Sequence, residues 1–297
     1  MQTTYANLLE RLSANLELLP DKPEETAEST LRALWFAASG EPRSVIYAMH
    51  GELPRLTSAE LMPRLEQLIE RRLAGEPLAH ITGRQRFMEL DMLSGAQALI
   101  PRVETEQLVR ACITLLDQTA TPPRPRVIDV CTGSGNIAYA LAHHVASALV
   151  EAADLSDAAI AFARCNGDHL RLLDRVAFYV GDLMAPFETL DHLGCTDLIV
   201  CAPPYICTAK VGQMASEIAD HEPRLAFDGG PFGVTILMRL IEDAPRFLRS
   251  GGWLAMEVGL GQGALLVKRL QKNDAFQEVR GHADADGAIR VVLARRQ

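Results

Sequence analysis

A chain of 297 residues has room for one large domain or two ordinary ones, and its 48% hydrophobic and 23% charged residues are those of a soluble globular fold. A net charge of −9 argues against broad engagement of nucleic acid phosphates, which needs clustered Lys and Arg, so no direct sequence-specific nucleic acid binding is expected. No run approaches the ~18 apolar residues of a membrane span, the opening "MQTTYANLLERL" lacks a secretory pattern, and the six cysteines have no C-x-x-C spacing, so the expectation is a cytoplasmic protein with reduced thiols, no membrane partner and no metal.

In chain order, residues 1–88 read as helical. Tyr5, Leu8, Leu9, Leu12, Leu16 and Leu19 recur at the period of an amphipathic helix, and "TAESTLRALWFAASG" predicts a second. Leu61, Leu65, Leu68, Ile69 and Leu73 predict a third, opened by Thr57 and Glu60 at capping-box spacing and closed by Gly75. No strand run is visible here, and the segment reads as a recognition module. Residues 89–125 read as a linker or hairpin region that joins the two parts, and "TPPRP" would break any helix in it.

From residue 126 to 297 the texture changes. "RVIDV", "ALVEAAD", "RVAFYV", "TDLIVC", "GWLAMEV" and "IRVVLAR" are near-continuous apolar strands separated by helical stretches such as "SDAAIAFARCNGDHLRLL". That alternation predicts an α/β fold: a doubly wound, mostly parallel sheet covered on both faces.

"VIDVCTGSGNIAYALA" is strand, tight turn and helix, the place where open α/β sheets bind ligands. "GSGNIA" formally satisfies the dinucleotide pattern, so NAD is one candidate cofactor. Asp129, a carboxylate just ahead of the glycines, suits a pyrophosphate poorly and a cation well. S-adenosylmethionine has a sulfonium and an amino group but no phosphate, so Asp129 and Asp154 favour it. Asp182, after the next strand, is placed to accept from an adenine amino group, with Leu183 against the ring. The bland alternative is that each Asp merely ends a strand.

In "DLIVCAPPYI", Pro203 and Pro204 cannot donate to a ladder and keep the preceding backbone extended, so the chain must leave the sheet at Ala202. Tyr205 then offers a flat wall with a polar tip.

"CTGSG", "GDLM", "APPYI", "HEPRLAFDGG", "LRSGGWLAMEVGLGQG" and "LIPRVETEQLV", in this order, resemble the motifs of the HemK-type protein-(glutamine-N5) methyltransferases over the whole chain. The resemblance implies a seven-stranded methyltransferase sheet, a small all-α N-terminal domain that recognises substrate, and S-adenosylmethionine as cofactor. It assigns Asp129, Thr132, Gly133, Gly135 and Asn136 to the methionine side of the cofactor, Asp154 to the ribose, and Asp182 with Leu183 to the adenine. Pro203 would offer its carbonyl to the acceptor and Tyr205 would pack on it. Arg102, Glu104, His221 and Glu222 would border the substrate pocket, with His221 the one histidine in motif context. Cys131 stands where release-factor enzymes commonly have glycine, and Val103 where the family has proline.

The main departure is Ala202, where the family has the asparagine of N-P-P-Y. An amide nitrogen is a poor nucleophile, and the asparagine works by holding and aligning it. Losing one such contact commonly costs ~3 to 4 kcal/mol of barrier. Three readings follow: an engineered, inactive form of a glutamine methyltransferase; a natural relative whose protein or small-molecule acceptor needs no amide alignment; or a noncatalytic protein that binds cofactor and partner.

Overall fold

A computed structural model of the chain describes residues 2–19, 22–55, 60–117, 122–189 and 191–297. The contacts divide into two compact units. The first comprises Met1–Ala96, Ile100–Val103 and Ala215–Glu222; the second comprises Gln97–Leu99, Glu104–Met214 and Pro223–Gln297.

The first unit is built on helices α1 (Gln2–Asn15), α2 (Ala27–Ala38), α3 (Val45–Ala48), α4 (Leu61–Leu73) and α5 (Leu78–Thr82). Leu8, Leu12, Leu31, Leu34, Trp35, Phe36, Leu65, Ile69 and Leu78 form its core, which is the periodic apolar set seen in the sequence. Thr26 caps α2 in a reciprocal box with Ser29. Thr57, expected to cap α4, lies outside the described residues, and Glu60 makes no side-chain cap there.

The sequence predicts a linker or hairpin region only from residue 89 and no strand before it, yet β1 (Arg84–Phe87) pairs antiparallel with β2 (Leu90–Leu93). The turn between them places Met88 and Glu89 at φ +45° and +69°. Positive φ at both central residues is the geometry of a tight hairpin turn that Asn and Gly normally signal. Here Met and Glu adopt it, so the sequence gives no warning.

Residues 215–222 return to this unit with the short helix α10 (Ser216–Ala219), which follows α9 (Thr208–Val211) of the second unit. Glu217 is bonded by Lys22 and by Arg72 (2.8 Å), and Arg72 also reaches Glu25 at 3.1 Å. All four are buried. Burial pushes the Glu25 carboxyl up, whereas at Glu217 the hydrogen bond and charge of Lys22 and the charge of Arg72 outweigh burial and lower it. Arg72 therefore bridges the two carboxylates, and Lys22 supplies the second positive charge.

In the second unit a seven-stranded sheet has the order β5-β4-β3-β6-β7-β9-β8. Its strands are β3 (Arg126–Val130), β4 (Leu149–Asp154), β5 (Val176–Val180), β6 (Thr196–Cys201), β7 (Leu248–Glu257), β8 (Phe276–Ala283) and β9 (Ile289–Arg296). β5 to β7 are parallel through β4, β3 and β6, and β9 and β8 are antiparallel additions. Helices α6 (Thr105–Leu116), α7 (Asn136–His144), α8 (Asp157–Leu170), α11 (Thr235–Phe247) and α12 (Gly263–Leu270) accompany it. Ile128, Val130, Ile199, Leu254 and Met256 pack on Leu237, Leu240, Ile241 and Phe247 of α11. β8 went unread in the sequence because "FQEVRGHA" is polar and carries a glycine, as an edge strand with one solvated side tolerates. Among the described residues no helix is long and apolar enough to cross a membrane.

Replacing Arg72 with Met strands two buried carboxylates against Lys22 alone. Urea titration is expected to show a loss of about 3–5 kcal/mol, the usual consequence of breaking a buried ion network by one partner.

Candidate active site

The strand order reverses between β3 and β6, because the chain runs from β3 outward through β4 and β5 and then crosses back. A crevice opens at the carboxyl ends of the strands at such a switch point. A cavity of about 170 Å³ lies there, lined by the ends of β3 (Cys131, Gly133), β4 (Asp154, Leu155, Ser156), β5 (Gly181, Asp182, Leu183) and β6 (Ala202, Pro204). Leu99, Leu225 and Ile236 add apolar wall.

The glycine loop turns through left-handed backbone at Cys131 (φ +61°), Gly133 (+54°) and Gly135 (+81°) before α7 begins at Asn136. A Cβ on Gly133 would meet no atom within 4 Å and would project into open space, whereas one on Gly135 would collide with the Tyr139 ring at 2.8 Å. Gly135 is thus kept small for packing. Cys131 occupies a left-handed conformation that costs a residue with a Cβ roughly 1–2 kcal/mol. Asn166 steadies the loop by donating to the Ser134 carbonyl at 3.2 Å, a buried contact with no motif to announce it.

Two carboxylates organise the loop from below. Asp154 Oδ2 accepts from the Gly133 amide at 2.8 Å and Oδ1 from the Ser156 amide at 2.9 Å. Burial nonetheless raises its pKa, with these amides opposing. Asp129 is fully buried; its Oδ2 accepts from the Thr132 hydroxyl at 2.6 Å. Oδ1 has no full hydrogen bond, and the Ala138 amide lies near enough only to favour the charged form. Burial first, and the Asp154 charge in addition, push the Asp129 carboxyl up to about 7. An under-satisfied buried carboxylate oxygen behind a glycine loop is the environment a cationic ligand would relieve.

Asp182 accepts from Arg239 at 2.7 Å on the surface side, and Leu183 sits at φ +49° with its side chain buried. Of the residues singled out from sequence, Gly133, Asp154, Asp182, Leu183 and Ala202 line the cavity. Asp129, Thr132, Gly135, Asn136, Pro203 and Tyr205 lie behind or beside that lining.

After Cys201 the chain leaves β6, with Pro203 buried and Tyr205 partly so. Burial pushes the Tyr205 phenol well up, helped by the charges of Glu257 and Glu104, with Arg290 opposing. Glu257, at the tip of β7, accepts from the Thr105 hydroxyl at 2.6 Å, and burial raises it. Glu104, expected near the pocket, thus acts on Tyr205 from the second unit.

Arg102, His221 and Glu222 belong to the first unit. Glu222 accepts from Arg102 at 2.6 Å and from the Ile100 amide at 2.9 Å, which ties the two inserted segments of that unit together. The His221 Nδ1–H donates to the Glu217 carbonyl at 3.2 Å.

Because folded Asp129 keeps its proton to about pH 7, against about 3.9 in an unfolded chain, the folded state binds more protons between these values. Stability should therefore fall as pH rises from about 4 to about 7, and Asp154 adds in the same sense. Asp129→Asn removes the larger share. The unfolding free energy of this variant relative to the parent, from urea titrations at pH 5 and pH 8, is expected to grow with pH; a flat difference would discount burial as the cause.

The family description "PrmC N-terminal domain" matches residues 7–83, and "Methyltransferase domain" matches residues 127–221. The release factor glutamine methyltransferase of Moorella thermoacetica is 37% identical, with the alignment covering 88% of this chain and 94% of that protein. The Bradyrhizobium diazoefficiens enzyme of the same name is 36% identical, with 92% and 89% covered. Among solved structures, the human METTL16 catalytic domain in complex with an RNA hairpin has a TM-score of 0.53 at 16% identity, covering 82% of this chain and 84% of that one; this likeness concerns the fold. With a donor crevice at the switch point, a glycine loop backed by Asp129 and relatives matched nearly end to end, the chain belongs to the HemK/PrmC family of release factor glutamine methyltransferases and is an S-adenosylmethionine-dependent methyltransferase.

Proposed function

We propose that this enzyme methylates a nitrogen nucleophile presented over the Ala202–Tyr205 turn, and that the acceptor is a nitrogen nucleophilic in its own right, such as an amine. The observation that carries this reading is Ala202 itself, which lines the cavity with a methyl group at the position where the family holds an amide. S-adenosylmethionine, when bound, supplies an electrophilic methyl group on a positively charged sulfur.

The chain's own residues divide the remaining work. Asp129 and Thr132, with Gly133, Gly135 and Asn136, would face the charged methionine end, where the unsatisfied Asp129 oxygen and the open space over Gly133 suit a cation. Asp154 would exchange part of its hold on the loop amides for ribose hydroxyls, and Asp182 with Leu183 would meet the adenine. The Pro203 carbonyl would accept from the acceptor nitrogen, and Tyr205 would exclude water from one side. Oxygen acceptors and noncatalytic docking fit a carbonyl-lined turn less well.

A second reading, methylation of a protein glutamine, is favoured by the names of the relatives at 36–37% identity. On that reading Ala202 is a disabling residue. Transfer of isotopically labelled methyl separates the two. The parent chain is expected to label an amine-bearing component of a bacterial extract, and Ala202→Asn to gain release-factor labelling by about 100-fold or more, the size of one aligned contact to a reacting group. Glutamine labelling by the parent at the variant's rate would discard the alanine argument. Separately, Asp154→Ala should weaken donor binding about tenfold or more by calorimetry, as the loss of a charge-assisted hydrogen bond requires.

A further inference from the structure

We propose that Gln262 is a positioning residue of the acceptor site: it fixes the backbone of Tyr205 and so sets where the diproline turn presents the acceptor. This rests on the reading of the Ala202–Tyr205 turn as the acceptor platform.

Pro203 and Pro204 contribute no amide hydrogens, and the sheet ladder has already ended at Cys201. Backbone bonding resumes at Ile206, whose amide donates to the Phe227 carbonyl at 2.9 Å and whose carbonyl accepts from the Gly229 amide at 2.8 Å. Between these two anchors a side-chain amide ties the turn at Tyr205. Gln262 Nε2 donates to the Tyr205 carbonyl at 3.0 Å and to the Gly233 carbonyl at 3.1 Å, while Oε1 accepts from the Gly259 amide at 2.8 Å. Three loops, around residues 202–206, 229–234 and 258–262, meet on this one group.

The surrounding glycines show that the meeting is close. A Cβ on Gly233 would stand 2.2 Å from the Tyr205 carbonyl oxygen and 2.9 Å from Gln262 Nε2. One on Gly229 would stand 2.6 Å from the Pro204 carbonyl oxygen, and one on Gly259 within 3.1 Å of both Gln262 and the Tyr205 ring. The distances at Gly229 and Gly233 leave no room for a side chain and those at Gly259 are tight, so these three glycines let the backbones approach around Gln262 and Tyr205. At the far end of the ring Arg290, which donates to the Val258 carbonyl at 3.0 Å, also donates to the Tyr205 hydroxyl at 3.5 Å. Tyr205 is thus tied at both ends, by Gln262 at its carbonyl and Arg290 at its hydroxyl.

Two variants test this. Gln262→Ala removes all three contacts; Gln262→Glu keeps the shape and the bond from Gly259 but turns an acceptor toward two carbonyls. In both, deuterium exchange in the peptide containing Tyr205 and Ile206 is expected to rise about tenfold, while peptides of β4 and β5 hold their rates. Calorimetric affinity for the demethylated donor, S-adenosylhomocysteine, should stay within about twofold, and kcat for methyl transfer should fall about tenfold or more, because a small misplacement of reacting groups is costly. Unchanged local exchange in Gln262→Glu overturns the proposal whatever the activity, and raised exchange with unchanged kcat overturns the positioning role. If the parent chain transfers no methyl to any acceptor, the acceptor-platform reading fails with the proposal's catalytic part, while the exchange measurement still decides the tie itself. General unfolding, seen as faster exchange in every peptide of both variants, would make Gln262 a stability residue and also overturn it.

Discussion

Strand β6 ends because two consecutive prolines follow it, and the arrangement of the site depends on that termination. The strand beside the switch point cannot continue, cannot pair further and cannot turn helical at Ala202, so it delivers an extended, rigid corner at the mouth of the crevice. The ends of β3, β4 and β5 supply a glycine loop and carboxylates to one side of the cavity, and the diproline corner supplies the other.

Much of this was legible before any coordinates. The six strands read from apolar runs match six of the seven in the sheet, and Asp154 and Asp182 fall at strand tips because a short polar side chain at the end of a buried run is a strong local signal. What escaped was written in tertiary contacts. β8 is an edge strand whose composition resembles a loop, and the β1–β2 hairpin turns through Met88 and Glu89 in a conformation those residues seldom adopt. Gln262 was visible inside a quoted motif but silent, since its meaning lies in three backbone groups from three different loops. Asn166 and Thr105 were silent for the same reason.

The two carboxylates of the site, Asp129 fully buried and Asp154 partly so, are held differently. Asp154 has both oxygens occupied by backbone amides and acts as a brace that shapes the glycine loop. Asp129 is less satisfied and more deeply buried, so it carries an electrostatic debt that only a cation or a proton settles. Ala202 belongs to the same logic from the opposite direction. It lines the same cavity with a methyl group and adds no charge or hydrogen-bonding group of its own side chain.

The path of the chain between the diproline corner and α11 has an evolutionary corollary. Eight residues, Ala215–Glu222, are contributed by the catalytic half of the sequence but fold into the helical unit, where Glu217 is clasped by Lys22 and Arg72. A gene fragment beginning after residue 96 would encode that octet with its anionic side chain bereft of both counterions. Any helical unit grafted onto this catalytic sequence would have to supply counterions for Glu217 as Lys22 and Arg72 do here.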